Sequence, residues 1–172
     1  MRLDGLNFRA AAPEDAPRMA ACVIEGFESY REFAPASWTH PTVADETANV
    51  ERGLGRAGVW SLLAEDGDEL AGHVAVIPAA EARRPVADPG LAHLWQLFVR
   101  RPWWGTGLAV QLHDAAIAAV TARGFTAMRL YTPAEQHRAR RFYEREGWHV
   151  AGPPTLDREF GLEIVEYRIG LT

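Results

Sequence analysis

The chain has 172 residues, 48% of them hydrophobic, which fits one globular domain, residues 1–172, and leaves no room for a second. No stretch approaches the roughly 18 apolar residues of a membrane span, and Arg2 and Asp4 bring charge where a secretory signal is apolar, so we expect a cytoplasmic protein that does not enter membranes. The net charge of −5 and the lack of a long basic face disfavour nucleic acid as a partner and favour a cationic or amine-bearing one.

The first third of the chain is predicted to form one short strand and two helices. Residues 6–10 have the composition of a strand, and proline and acids at residues 12–15 then begin a helix that reaches about Ser29. A capping sequence at residues 42–46 begins the second helix, which the glycines at 53 and 55 should end. An aromatic-rich connection lies between the two helices.

The next segments predict a hairpin and a buried strand. Residues 59–64 and 70–77 are strand-like, and the acidic, glycine-containing run between them is good turn chemistry, so these strands should pair antiparallel. After a polar loop, residues 91–99 are mostly apolar on both faces of a strand. We therefore expect this strand at the centre of a sheet.

The last third predicts a strand, helix, strand crossover and a closing hairpin. An apolar stripe at helical spacing runs from Leu108 to Val120, and residues 127–132 form the next strand, which implies a right-handed parallel crossover. Pro133 is expected to open a further helix to about Glu146. Residues 148–151 and 163–171 are predicted as late strands, which gives one mixed sheet with flanking helices.

A glycine turn lies between the predicted central strand and the helix after it. Lacking Cβ, Gly105 and Gly107 let the main chain approach a ligand closely, and the free N–H groups of the helix's first turn favour an anion such as phosphate. A P-loop would need Lys followed by Ser or Thr, and a dinucleotide-binding turn would need a third glycine and a downstream acid. Neither pattern is present, so the turn predicts a phosphate site of another kind.

Two passages resemble the signatures of the GCN5-related N-acetyltransferase (GNAT) family. The pattern Q/R-x-x-G-x-G/A, with Trp in the first position, fits the run Trp104, Gly105, Thr106, Gly107, Leu108 and Ala109. The pattern N-x-x-A-x-x-F-Y-x-x-x-G-F/W fits residues 136–148, with Gln136 in place of Asn. The resemblance covers nearly the whole chain and is specific from about residue 91 to residue 148.

The resemblance implies an α/β fold of the GNAT type: a mixed, mostly antiparallel sheet, a central parallel pair of strands that splay apart, and helices on both faces. It also implies acetyl-CoA as co-substrate, no metal ion, and an acceptor that is a primary amine of a small molecule or peptide. Members are often dimers, so a homodimer is an open expectation. The residues implied for binding CoA are Leu97, Phe98, Val99, Trp104, Gly105, Thr106, Gly107, Leu108, Ala109 and Gln136.

His93 is a candidate general base. An alkylamine is protonated at pH 7 and must lose a proton before it can attack a thioester. His93 interrupts the apolar pattern of the central strand, and it stands where histone-acetylating relatives carry their catalytic Glu. A buried histidine satisfied by a hydrogen bond is the alternative, with water as the base. Gln96 is the other polar interruption, expected on the opposite face in a structural role.

Tyr143 is a candidate proton donor to the leaving CoA thiolate. It belongs to the Phe142-Tyr143 pair, where many relatives place such a phenol, and a neutral phenol donates well at pH 7. The alternative is an amphipathic core residue of the last helix. The remaining histidines have no ligand spacing and no cysteine partners, which gives a metal site little support.

The acceptor site is expected after the first helix, where this family commonly forms it. The aromatic candidates there, which core packing would explain equally well, are Phe27, Tyr30, Phe33, Trp38 and His40. Besides an enzyme that uses another acyl-CoA or acts on a hydroxyl group, two functions remain open. One is direct acetyl transfer in a ternary complex, with main-chain N–H of the central strand, at Val99, stabilising the oxyanion. The other is a degenerate relative that binds acyl-CoA as a sensor or partner module without turnover, which the substituted Trp104 and Gln136 keep open.

Overall fold

The computed structural model describes residues 3–172 and shows an eight-stranded sheet flanked by four α-helices. The strands are β1 (Asn7–Arg9), β2 (Trp60–Asp66), β3 (Glu69–Pro78), β4 (Leu91–Val99), β5 (Ala127–Pro133), β6 (His149–Val150), β7 (Thr155–Asp157) and β8 (Leu162–Gly170). The helices are α1 (Ala16–Glu28), α2 (Val43–Leu54), α3 (Leu108–Ala122) and α4 (His137–Arg145). Across this part of the chain, no helix is both long and apolar enough to cross a membrane. The charge at Arg2, used in the export prediction, lies outside the described residues.

The sheet has the order β1-β2-β3-β4-β5-β8-β6, with β7 paired to β8. The β4–β5 pair is parallel, whereas the neighbouring strand pairs are antiparallel. The chain reaches β5 from β4 through α3, as the crossover prediction required. The predicted mixed, mostly antiparallel sheet and the central position of β4 are therefore confirmed.

The parallel pair at the centre of the sheet separates after three residues. β4 and β5 pair only from Leu91 with Ala127 to His93 with Arg129. Beyond this point β4 stays with β3 as far as Val99, and β5 stays with β8 as far as Pro133. The predicted splayed pair is therefore confirmed, and it opens a gap in the middle of the sheet.

A β-bulge in β4 changes which side chains share a face. Val76 pairs with Leu94 but Ala75 pairs with Gln96, so Trp95 is an extra residue on the β4 side. The bulge shifts the alternation by one and places Gln96 on the same face as His93. The expectation that Gln96 lies on the opposite face was wrong, because alternation was counted along an unbroken strand.

The two faces of the sheet are covered by different helices. On one face, α3 and α4 bury an apolar cluster that includes Leu112 and Tyr143. On the other face, α1 and α2 pack against β4 through a second cluster that includes Met19, Val50 and Trp95. Helices on both faces were predicted. The gap between β4 and β5 is the place where the sheet between the two faces is open.

One predicted element begins later than expected. Pro133 was expected to open the last helix, but it pairs with Ile164 as the final residue of β5. Proline has no N–H to continue the ladder, so the strand ends there. Helix α4 then begins at His137, with Gln136 as its N-terminal cap residue. The short β7 was not predicted.

Candidate active site

The glycine turn before α3 needs glycine for its backbone conformation. Gly105 has φ of 76° and Gly107 has φ of 94°, a region that side chains with Cβ disfavour. A Cβ at Gly105 would meet nothing within 4 Å, so the requirement there is conformational. Gly107 is the N-terminal cap residue of α3, and the first-turn N–H groups of Ala109 and Val110 have no acceptor inside the helix. The turn can therefore bind an anion through its main chain.

Trp104 ties this turn to its surroundings. Its indole Nε1–H donates to the carbonyl oxygen of Val99 at 2.7 Å. The guanidinium of Arg138, from α4, lies 3.3 Å from the ring centroid, and that of Arg101 lies 5.0 Å from it. Burial lowers the pKa of Arg138. Trp104, which stands where the family pattern has Gln or Arg, thus holds a positive charge beside the turn.

The main chain of β4 faces the gap at two residues. The N–H of Arg100 donates to the carbonyl of Ala71, so Arg100 bonds to β3. Because bonded and non-bonded pairs alternate in an antiparallel ladder, the peptide groups of Phe98 also bond to β3, and those of Leu97 and Val99 point into the gap. Leu97 and Val99 can therefore bond to an extended ligand lying along β4.

Two clefts meet at the gap and share part of their lining. The turn cleft has a volume of about 530 Å³ and is lined by residues that include Gly105, Gly107, Ala109, Val110, Gln136 and Arg138. The second cleft has a volume of about 660 Å³ and is lined by residues that include Glu46, Arg56, Arg83, His93, Gln96 and Tyr131. Five residues line both clefts and form their shared wall: Tyr30, Leu97, Phe98, Ala139 and Tyr143.

Tyr143 lies in that shared wall. The side chain is buried among Phe142, Trp148 and Tyr167, with ring centroids between 5.3 and 6.2 Å apart. Burial raises the pKa of the phenol well above its usual value, so the hydroxyl is neutral at pH 7. A neutral phenol next to both clefts can donate a proton.

His93 lines the second cleft but is a weak proton acceptor. Burial, together with the positive charges of Arg129, Arg56 and Arg83, lowers its pKa to about 3. Its Nδ1 is buried and has no hydrogen-bond partner in residues 3–172. The imidazole is therefore neutral at pH 7, with one nitrogen unpaired.

A carboxyl group that the sequence did not single out lies in the second cleft. Glu46 is buried, and its Oε1 accepts hydrogen bonds from Asn49 Nδ2 and Gln96 Nε2, both at 3.1 Å. The signal was present in α2: Glu46 stands on the buried stripe with Val50 and Gly53, at i, i+4 and i+7. A charged residue on such a stripe marks a buried polar site, although the capping pattern nearby gave it another explanation.

The predicted aromatic acceptor residues divide between the cleft and a packed cluster. Phe27 and Tyr30 line the second cleft. Trp38 and Phe33 pack in an apolar cluster with Tyr30, and the Trp38 indole donates to the Phe160 carbonyl at 2.8 Å. His40 bonds to Glu28 Oε1 at 2.6 Å. Core packing accounts for Phe33 and Trp38, while Phe27 and Tyr30 can contact an acceptor.

One cluster of potential metal ligands lies outside both clefts. His113, Asp114 and Glu146 bring ligand atoms within 4.8 Å of one another. Both ring nitrogens of His113 are engaged, one with Asp114 Oδ1 at 3.0 Å and one with the Trp148 indole N–H at 2.9 Å. This histidine is a satisfied core residue, so an ion would have to displace one of its hydrogen bonds.

Comparison with known proteins identifies both the sequence pattern and the fold. A sequence model described as the Acetyltransferase (GNAT) family matches residues 24–148. No curated protein matches the sequence. An acetyltransferase from Thermus thermophilus superposes with a TM-score of 0.72 at 20% identity, covering 99% of this chain and 100% of that one.

Two further solved structures have the same fold. The PaiA N-acetyltransferase of Thermoplasma acidophilum, in complex with coenzyme A, gives a TM-score of 0.71 at 16% identity over 94% of this chain and 97% of that one. The ribosomal-protein-S18-alanine N-acetyltransferase of Escherichia coli gives 0.65 at 17% identity over 97% and 94%. At these identities the likeness shows the fold.

Proposed function

Because the chain belongs to the GNAT acetyltransferase family, we propose that it transfers the acetyl group of acetyl-CoA to a primary amine of a small molecule or peptide, by direct attack in a ternary complex. The observation that carries this proposal is the pair of clefts that meet at the wall containing Tyr143. Acetyl-CoA, bound in the turn cleft, supplies the thioester. The amine enters by the second cleft, so the two reactants meet at the shared wall.

The turn cleft fits CoA through its main chain. The amides of Gly105, Gly107, Ala109 and Val110 would hold the pyrophosphate, with Arg138 adding positive charge. The peptide groups of Leu97 and the carbonyl of Val99, which face the gap, would hold the pantetheine arm as an added strand does, and Gln136 would add a side-chain contact.

Direct attack is preferred to a covalent acyl-enzyme because the chain's one thiol is unsuited to it. Cys22 is a buried core residue of α1 and lines neither cleft. Burial raises the pKa of its thiol to about 12, so almost no thiolate exists at pH 7. The acceptor nitrogen is therefore the nucleophile that attacks the thioester.

The proton movements are assigned to residues at the shared wall. Tyr143 would donate a proton to the departing thiolate, and the main-chain N–H of Val99 would stabilise the developing oxyanion. His93 or water would take the ammonium proton. The free Nδ1 of His93 is an argument for His93 as the base. Its pKa of about 3 is an argument against His93, because so weak a base takes a proton from an ammonium group poorly.

A module that binds acyl-CoA without turnover is the second candidate. The indole of Trp104 bonds to the carbonyl of Val99, one of the groups assigned above to the pantetheine arm. This bond changes the contact available to the pantetheine arm. A protein that only binds acyl-CoA would tolerate such a change more readily than an enzyme that must position the thioester for attack. The two candidates differ in turnover alone.

Calorimetric titration with CoA and acetyl-CoA tests the binding step. Gly107→Glu places bulk and negative charge in the turn and should abolish binding. Gly124→Glu is the matched control, because Gly124 also has positive φ, 86°, and open space, but lies at the far end of α3. We expect wild type and Gly124→Glu to bind both ligands. Absence of binding by folded wild type would remove both candidates.

Release of CoA thiol separates the two candidates. The panel is benzylamine, 4-aminobutyrate, spermidine and an alanine-led peptide, each with acetyl-CoA. The 18 basic residues of the chain are all arginine, so acetylation of its own lysines cannot contribute to the signal. Acceptor-dependent thiol release supports transfer, whereas tight binding with no release for any amine supports the module.

A further inference from the structure

The carboxyl group of Glu46 ends a line of hydrogen bonds that starts in the core. His73 Nε2 lies 3.0 Å from Gln96 Oε1, and Gln96 Nε2 lies 3.1 Å from Glu46 Oε1. Because the amide oxygen only accepts, His73 must carry its proton on Nε2. Burial lowers the pKa of His73 to about 4, which keeps the ring neutral and this orientation fixed. Gln96 therefore presents its N–H groups to Glu46.

Only one oxygen of this carboxyl is engaged. Asn49 and Gln96 both donate to Oε1, and no donor in residues 3–172 bonds to Oε2. Glu46 is 5% exposed, and it lines the second cleft. A buried carboxylate held by two amides at one oxygen has its other oxygen available to a ligand in that cleft.

Glu46 also lies closer than His93 to the shared wall, as judged by the position of its partner Gln96 along β4. Its partner Gln96 directly precedes Leu97, which belongs to the shared wall, whereas His93 lies at the closed end of the gap, where β4 and β5 still pair. The bulge at Trp95 is what turns Gln96 toward α2. An amine that reaches the shared wall therefore passes the Glu46–Gln96 pair.

The other carboxylates of the second cleft are engaged elsewhere. Asp157 forms ion pairs with Arg83 and Arg84, and the exposed Glu159 pairs with Arg83. Asp45 bonds to Thr42 at the start of α2. These acids have cationic or capping partners, while the hydrogen bonds of Glu46 come from neutral amides.

We propose that Glu46 is the general base for the acceptor amine, an inference that rests on the proposed acetyl transfer. The ammonium binds at Oε2 and gives one proton to the carboxylate. The neutral nitrogen attacks the thioester carbon, the C–S bond breaks, and Tyr143 protonates the sulfur. The second proton on nitrogen replaces the one lost by Tyr143, through water, and Glu46 releases its proton to solvent. The products are the N-acetyl amine, CoA thiol and one free proton.

The electrostatic surroundings suit this role. Burial raises the pKa of Glu46, which brings it closer to that of an amine, while the amides of Asn49 and Gln96 and the charge of Arg52 oppose the rise. Asp45, Arg52, Arg56 and His93 line the same cleft, and His73 on β3 is connected to Glu46 through Gln96. Both histidines have lowered pKa values and stay neutral above pH 5. Neither histidine therefore takes up a proton in the range where an ordinary imidazole does.

The test compares Glu46→Gln with Glu51→Gln, an exposed glutamate on the same helix. The Glu46→Gln substitution keeps an oxygen that accepts from Asn49 and Gln96, and it removes the base. With the best acceptor of the panel, or with acetyl-CoA hydrolysis if no amine is used, we expect kcat to fall at least about 100-fold in Glu46→Gln. The Kd for acetyl-CoA and the kcat of Glu51→Gln should be unchanged. A Glu46→Gln enzyme within twofold of wild type would overturn the inference.

A pH profile gives a second readout that keeps the carboxylate. Asn49→Ala removes one donor to Oε1, which raises the pKa of Glu46, so the acid limb of kcat/KM should move to higher pH. A limb that does not move rejects Glu46 as the base, even if Glu46→Gln fails to fold. Loss of acetyl-CoA binding by wild type would instead reject the proposed function itself.

Discussion

Two buried tyrosines differ in what their hydroxyl groups contact, and this difference separates a proposed catalytic residue from a packing residue. Tyr143 and Tyr167 are both buried, but the Tyr167 hydroxyl donates to Glu144 at 2.6 Å and accepts from Arg140 at 2.9 Å, whereas Tyr143 lines both clefts. Tyr143→Phe removes the proposed donor to the thiolate and keeps the ring. We expect kcat to fall about 100-fold with an unchanged Kd for acetyl-CoA, measured by thiol release and calorimetry.

Tyr167→Phe is the matched control for that change. It loses two hydrogen bonds away from both clefts, so the free energy of unfolding should fall by about 1–3 kcal/mol while kcat stays at the wild-type value. Urea denaturation and the same thiol assay measure the two quantities. Wild-type kcat in Tyr143→Phe would leave Tyr143 as a packing residue of α4.

Elements differ in how far the sequence predicts them. The turn at Gly105 and Gly107 was predictable because positive φ is a local property that glycine meets. The bulge at Trp95 was not, since it depends on how β4 registers against β3. That one residue decides the face of Gln96 and hence the surroundings of Glu46. The charge of the acceptor, the cellular location and the oligomeric state stay predictions, because no local pattern fixes them.

The capping box of α2 is a local feature that was predicted and is confirmed. Thr42 Oγ1 accepts from the N–H of Asp45 at 3.1 Å, and the Asp45 carboxylate bonds back to the N–H of Thr42 at 3.3 Å. Thr42→Ala should cost about 1 kcal/mol, or roughly 3 °C in Tm for a chain of this size. Thr47→Ala, at a half-exposed site one turn later, loses only the hydrogen bond from the Thr47 hydroxyl to the Val43 carbonyl within the helix and should change Tm by less than about 1 °C. Equal Tm values for the two variants would show that the cap contributes nothing.

At the scale of the whole molecule, the gap between β4 and β5 is maintained by the packing on both faces. The cluster beneath α3 and α4 anchors one side, and the cluster beneath α1 and α2 anchors the other. The polar groups that line the break and the second cleft, namely the peptide groups of β4 and the side chains of Glu46 and His93, lie between these clusters. The same burial that shapes the clefts therefore also shifts the pKa values within them.

Two histidines, the buried His73 and the half-buried His93, should make the fold sensitive to acid. Their pKa values, about 4 for His73 and about 3 for His93, lie below the 6.5 of an exposed imidazole. Between pH 6 and 4 the unfolded chain binds protons that the folded chain does not. The contribution of each neutral histidine to stability is therefore fully present above pH 6.5 and is lost as the pH falls toward the pKa of the folded state. Each histidine should contribute a slope of up to about 1.4 kcal/mol per pH unit, measured by urea denaturation at pH 7.0, 6.0 and 5.0.

Variants assign that slope to particular residues. His93→Asn removes one of the two depressed groups, so the stability loss between pH 6 and 5 should shrink by about half of the histidine contribution. His149→Asn, at an exposed position on β6, is the control variant and should leave the slope unchanged. If both variants keep the wild-type slope, His93 is protonated in the folded protein near its ordinary pKa. An imidazole of that kind would be basic enough to take the proton of the amine, and the comparison with Glu46 would then turn in favour of His93.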